Sequence, residues 1–154
     1  MKKLVFPFLV IAVIFSACKK EEETPANNTA TAYAFSCKID GADFIDNNPA
    51  ATIDPSTNVF TLVASNGSDE VIIYIYNFSN RTEGEEIPFN ATNRVYVNLG
   101  ADFYSTTIAN NSVGGKLTFS EIGNSISGTF NVICANDQSA LVIITEGEFV
   151  DVAY

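Results

Sequence analysis

Two cysteines, three aspartates and three glutamates are the residues of this chain with chemistry to offer. Cys37 is in step with Phe35 and Ile39, and Cys134 with Phe130 and Val132, so both thiols are expected to point inward. In an oxidising compartment they have two outcomes. They form the one intramolecular bridge that two thiols allow, closing a loop of nearly a hundred residues worth up to about 4–5 kcal/mol, or they stay reduced and pack as small apolar groups. Neither is expected to act as a nucleophile, because the 154 residues include no His to take the proton. The same absence excludes a Ser-His-Asp triad and any His-ligated zinc.

Asp40, Asp43 and Asp46 recur every three residues in DGADFIDNN, and a hard cation such as calcium takes six to eight oxygens of this kind. Residues three apart in an extended segment face opposite sides, however, and Asp40-Gly41 already reads as a hairpin turn. Glu83, Glu85 and Glu86 offer the paired carboxylates of glycoside hydrolysis. No Trp accompanies them, and their surroundings read as a charged surface loop. No metal, no cofactor and no enzymatic activity are therefore expected.

A binding surface is the remaining option. Residues 70–78 are apolar on both faces, with Ile72, Tyr74, Tyr76 and Phe78 on one and Val71, Ile73 and Ile75 on the other. An antiparallel strand with one wet face should alternate. Either a loop or a sheet covers the second face, or Tyr74 and Tyr76, with Tyr96, form an aromatic patch for a ligand or partner. Tyrosine suits that role because it joins apolar area to a hydrogen-bonding tip.

The elements that position these residues read as strands. Alternation and turn signals run from Tyr33 to the end: Asp40-Gly41, Asp54-Pro55-Ser56-Thr57, Asn66-Gly67 and Gly123-Asn124 all punctuate apolar runs, and Gly114-Gly115 reads as a break. About nine or ten strands with short connections predict an all-β, antiparallel, mostly meandering fold. A filled β-sandwich is the expected form, with an up-and-down, lipocalin-like barrel as the alternative. Residues 33–154 make the single domain.

The first eighteen residues read as an address. Lys2 and Lys3 precede fourteen largely apolar residues, 4–17, a signal-peptide pattern too short to span about 30 Å of hydrocarbon. Phe15-Ser16-Ala17-Cys18 resembles a bacterial lipobox, with Phe15 where Leu is commoner, so residues 1–17 are expected to be removed and Cys18 lipidated. Loss of Lys2 and Lys3 leaves 6 basic against 18 acidic residues, a formal charge of −12. That charge argues against nucleic acid and against direct contact with anionic lipid heads. The membrane contact is then the lipid alone, and residues 18–32, KKEEETPANNTATA after the cysteine, form a disordered tether.

Two resemblances extend this reading. Cys18-Lys19-Lys20-Glu21-Glu22-Glu23 looks like the surface-export signal of Bacteroidota-type lipoproteins. FSCKIDGADF near the start, with ISGTFNVICAN and VIITEGEF near the end, resembles a family of small lipoproteins of that kind whose domain has no known function. The resemblance implies an exported all-β lipoprotein and brings no catalytic residues. The expectation is thus a non-enzymatic lipoprotein of the outer membrane, displayed on the cell surface or held on the periplasmic face, with a binding or scaffold role. A carrier of a small apolar ligand and a carbohydrate-binding accessory protein are the alternatives, so the partner is a small ligand, a glycan or a protein.

Overall fold

Turn chemistry and alternation cut the described residues into eleven strands. The structure is a computed structural model and describes residues 34–108 and 113–154. In order they are β1 (Phe35–Ile39), β2 (Ala42–Asp46), β3 (Ala50–Asp54), β4 (Val59–Asn66), β5 (Asp69–Tyr76), β6 (Glu86–Phe89), β7 (Arg94–Leu99), β8 (Asp102–Ser105), β9 (Gly114–Ile122), β10 (Ser125–Ala135) and β11 (Leu141–Ala153). Every pairing is antiparallel. Six of the ten sequential strand pairs are hydrogen-bonded neighbours, so the expected meander dominates.

The strands lie in the order β2-β1-β11-β10-β8-β7-β5-β4-β3, with β9 beside β10 and β6 beside β9. β10 is the branch point. Residues Ile126 to Ile133 pair with β9, whereas Ala135 pairs with Ser105 of β8. One strand edge therefore serves two sheet branches, and the sheet curls into a half-barrel. Near the open side, the Ser65 N–H of β4 donates to Asp46 Oδ2 of β2 at 2.7 Å.

Alternation fixes what faces in. Phe60, Leu62 and Ala64 of β4, Val71, Ile73 and Ile75 of β5, and Leu117 and Phe119 of β9 are fully buried. The interior is occupied by aromatic contacts between the branches: Phe60 lies edge-on to Phe119 at 5.9 Å, and Phe119 meets Phe149 at 5.9 Å. Each such pair adds about 0.5–1.5 kcal/mol beyond area burial.

The expected Asp40-Gly41 hairpin turn forms, with Ala42 to Asp46 folding back on β1 in register as β2. Three local expectations are corrected. Gly114-Gly115 opens β9 instead of interrupting the chain, and residues 140–145 and 149–153, which read as two strands, fall into one, β11, with register shifts along its pairing to β10. Phe78 does not share a face with Tyr74. Asn77 adopts the left-handed region (φ 55°, ψ 43°), which asparagine tolerates, and starts a short 3-10 turn that swings Phe78 into the core against Phe60 at 4.9 Å.

Candidate functional site

Both candidate thiols are buried and free. β11 runs between their strands, paired to β1 on one edge and to β10 on the other. Two inter-strand spacings alone put about 9–10 Å between them. The register adds an offset along β11, for Cys134 faces Val142 whereas Cys37 falls between residues paired with Glu148 and Thr145. A disulfide needs Cα atoms within about 7 Å. The bridge is thus corrected to two separate thiols, each pushed up to about 12 by burial, neutral and poorly nucleophilic.

The acidic sets are dispersed among structural tasks. Asp40 caps the β1–β2 turn, its Oδ1 accepting from the Ile143 N–H at 2.9 Å. Asp43 stands opposite Lys38, and Asp46 accepts from Asn48 and Ser65 backbone N–H groups. Glu83 accepts from the Ile122 N–H, Glu85 pairs with Arg81 at 2.7 Å, and Glu86 pairs with Lys116. No cluster of three metal-ligating side chains occurs among the described residues.

The aromatic set, by contrast, is brought together. β5 presents Val71, Ile73 and Ile75 to the core, so Ile72, Tyr74 and Tyr76 lie half-buried on the outer face. The β5–β7 register sets Ile72 opposite Tyr96 and Tyr74 opposite Arg94. Tyr74 and Tyr96 are therefore diagonal neighbours, with ring centroids 5.4 Å apart and edge-on. Tyr96 in turn meets Phe103 of β8 at 5.4 Å, and Phe103 is 48% exposed. β4 supplies Val59, Thr61 and Val63 beside them.

Arg94 sits among these rings. Its guanidinium carbon is 5.6 Å from the Tyr74 ring centre, 5.3 Å from Tyr76 and 5.7 Å from Tyr96. A cation over one aromatic face is worth about 0.5–1 kcal/mol at exposed sites, and more when desolvated. Arg94 Nη2 donates to the Tyr76 hydroxyl. The Tyr76 backbone is held from both sides: its N–H donates to Asn93 Oδ1 at 3.0 Å, and its carbonyl accepts from Arg81 Nη2 at 2.9 Å. The arrangement is a cluster of mutually tilted rings on the outer face with a cation among them. Tyr74, Tyr76 and Tyr96 were legible in the sequence as a patch; Arg94 and Phe103 were not singled out. The one signal for Arg94 is its shared parity with Tyr96 in Arg94-Val95-Tyr96.

No protein-family model, curated protein or solved structure matches the chain. The likeness to small lipoproteins therefore rests on its own segments. FSCKIDGADF covers most of the β1–β2 hairpin, ISGTFNVICAN lies in β10 except for its last residue, Asn136, and VIITEGEF lies in β11, which is paired with both β1 and β10. The motifs from the two ends of the chain meet as neighbouring strands. The leader (residues 1–17), Cys18 and the tether (18–32) lie outside the described residues. Among the described residues no helix is long and apolar enough to cross a membrane.

Proposed function

We propose that the protein is a non-enzymatic lipoprotein of the outer membrane, anchored through Cys18, whose all-β domain binds a partner on the outer face of β5, β7 and β8. One observation carries the binding role. Tyr74, Tyr76, Tyr96 and Phe103 gather outside the sheet around Arg94 while the interior is already filled by Phe35, Phe60, Phe119 and Phe149. Aromatic and arginine side chains are the types that dominate binding energy at recognition surfaces. The filled interior supports this reading over that of an internal carrier.

Two experiments on the full chain in cells test it. Labelled palmitate is expected to enter the wild-type protein and not Cys18→Ala, and protease added to intact cells is expected to digest it if it is displayed outside. A photoreactive benzoylphenylalanine at position 103 is expected to yield covalent adducts, whereas the same group at Thr129, exposed on β10, yields none. Equal adduct formation at the two positions, or none at position 103, overturns the proposed face.

A further inference from the structure

β3 ends the sheet. It pairs with β4 alone, from Ala50 opposite Val63 to Asp54 opposite Val59, with no shift of register. Along a strand the backbone groups point to the two edges in turn. The Asp54 carbonyl accepts from the Asn58 N–H at 2.8 Å, so Asp54, and with it Thr52 and Ala50, spend their groups on the β4 side. The N–H and C=O groups of Ala51 and Ile53 therefore face the open edge, where no strand among the described residues meets them. Ala50, Thr52 and Asp54 are exposed, while Ala51 and Ile53 lie half-buried against the core. Sheets blunt such edges with charges, proline or bulges. β2, at the other end, carries Asp43 and Asp46, and Asp46 is tied to the Ser65 N–H of β4. β6, which ends the β9 branch, contains Pro88. From Ala50 to Ile53, β3 has none of these devices.

We propose that this edge joins two copies of the chain, β3 against β3, antiparallel and centred on Thr52. The sequence matches itself in that register. Ala51 falls opposite Ile53 of the second copy, and Ile53 opposite its Ala51, so every edge-facing N–H and C=O finds a partner. The same two pairs set apolar against apolar on the core side. Thr52 falls opposite Thr52, a favourable cross-strand pair. Asp54 falls opposite Ala50, so no like charges face each other. The two Asp54 residues are then about 14 Å apart, beyond the screening length of about 8 Å at physiological ionic strength. That self-match is what selects a second copy as the occupant. Fifteen acidic against four basic side chains among the described residues, 18 − 3 and 8 − 4 once the first 33 residues are set aside, oppose contact through most other surfaces. The assembly closes at two, because each copy spends its one β3 edge. The twofold axis stands normal to the sheet, so the outer faces of the two copies lie side by side. The pairing does not depend on that face binding a partner.

Disulfide trapping of the full chain in cells, with a mild oxidant and a non-reducing gel, tests the pairing and its register. Directly opposite residues of a non-hydrogen-bonded pair have Cα atoms about 4.5 Å apart, within reach of a disulfide. Thr52→Cys is therefore expected to give covalent dimer, roughly fivefold or more above Ala50→Cys. Ala50 is exposed on the same strand but lies about 14 Å from its counterpart in the second copy, so Ala50→Cys reports random collision alone. The wild type, with its own Cys18, Cys37 and Cys134, sets the baseline. Both substituted positions are exposed, and circular dichroism checks that both variants fold. No dimer above the wild type from Thr52→Cys, or equal yields from Thr52→Cys and Ala50→Cys, overturns the proposal.

Discussion

Phe130 stands directly opposite Gly147 across the β10–β11 pair, and its ring comes within 2.5 Å of where a Cβ on that glycine would be. The relation is reciprocal, for two residues along Gly128 lies opposite Phe149, whose ring reaches within 2.6 Å of the corresponding position. Each ring occupies the space left by a missing side chain. Gly147→Ala and Gly128→Ala are each expected to destabilise the domain by about 1–3 kcal/mol through overpacking. Urea midpoints measure this. In the double variant Gly147→Ala/Phe130→Leu, part of the loss should return, because the shorter side chain vacates the contested space. Additive losses would show that the two residues do not compete.

Arg94 ties β7 to β5 through the rings of Tyr74 and Tyr76, so Arg94→Met is expected to cost about 1–2 kcal/mol. The tyrosines themselves lie outside the core. Tyr74→Ser and Tyr76→Ser should therefore leave a folded domain with unchanged near-ultraviolet cooperativity. Unfolding of either variant at 25 °C would place these rings in the core.

Cys37 and Cys134 are expected to resist a disulfide-exchange reagent at pH 8 in the native state and to react fully in 6 M guanidinium. Burial raises both thiols to about 12, against an unfolded value of about 9. The neutral thiol is favoured by folding, so this contribution is complete below about pH 9 and is lost as the pH rises from there towards 12. A double Cys→Ala variant should lose stability less steeply over that alkaline range. Rapid native labelling, or an intramolecular disulfide formed by mild oxidant without unfolding, would contradict the separation of the two strands.

Asp54 organises the β3–β4 turn. Hydrogen bonds from the Ser56 and Thr57 hydroxyls hold its carboxyl at about 2, below its usual value of 3.8. A depressed carboxyl stabilises the fold above its unfolded value, and that stabilisation disappears as the pH falls from about 4 towards 2. Carboxyl-carbon NMR titration of Asp54 should give the depressed midpoint, and Asp54→Asn should remove its share of the acid-side slope. A midpoint near 4 would show that the turn does not hold the carboxylate.

Much of the architecture was readable from residue order. Alternation in Val59–Asn66 and Asp69–Tyr76 told which side chains face inward, because a strand's side chains alternate with period two whatever its neighbours are. Phe78 escaped that rule, since one left-handed residue, Asn77, resets the parity and no period announces it. β2 escaped because its turn and acidic composition mask a strand that is completed by hydrogen bonds to β1. The aromatic patch was half legible: Tyr74 and Tyr76 share a face by parity, but which β7 residue sits beside them depends on register.

By itself, the sequence determined the all-β class, the inward set of each strand and the absence of histidine chemistry, all of which follow from composition and local periodicity. Tertiary structure alone decided that β11 separates Cys37 from Cys134, that the acidic residues are spent on turns and ion pairs, and that Arg94 joins three tyrosines. These depend on strand order and register, which hydrogen bonds between segments far apart in the chain set, and on which no local spacing reports.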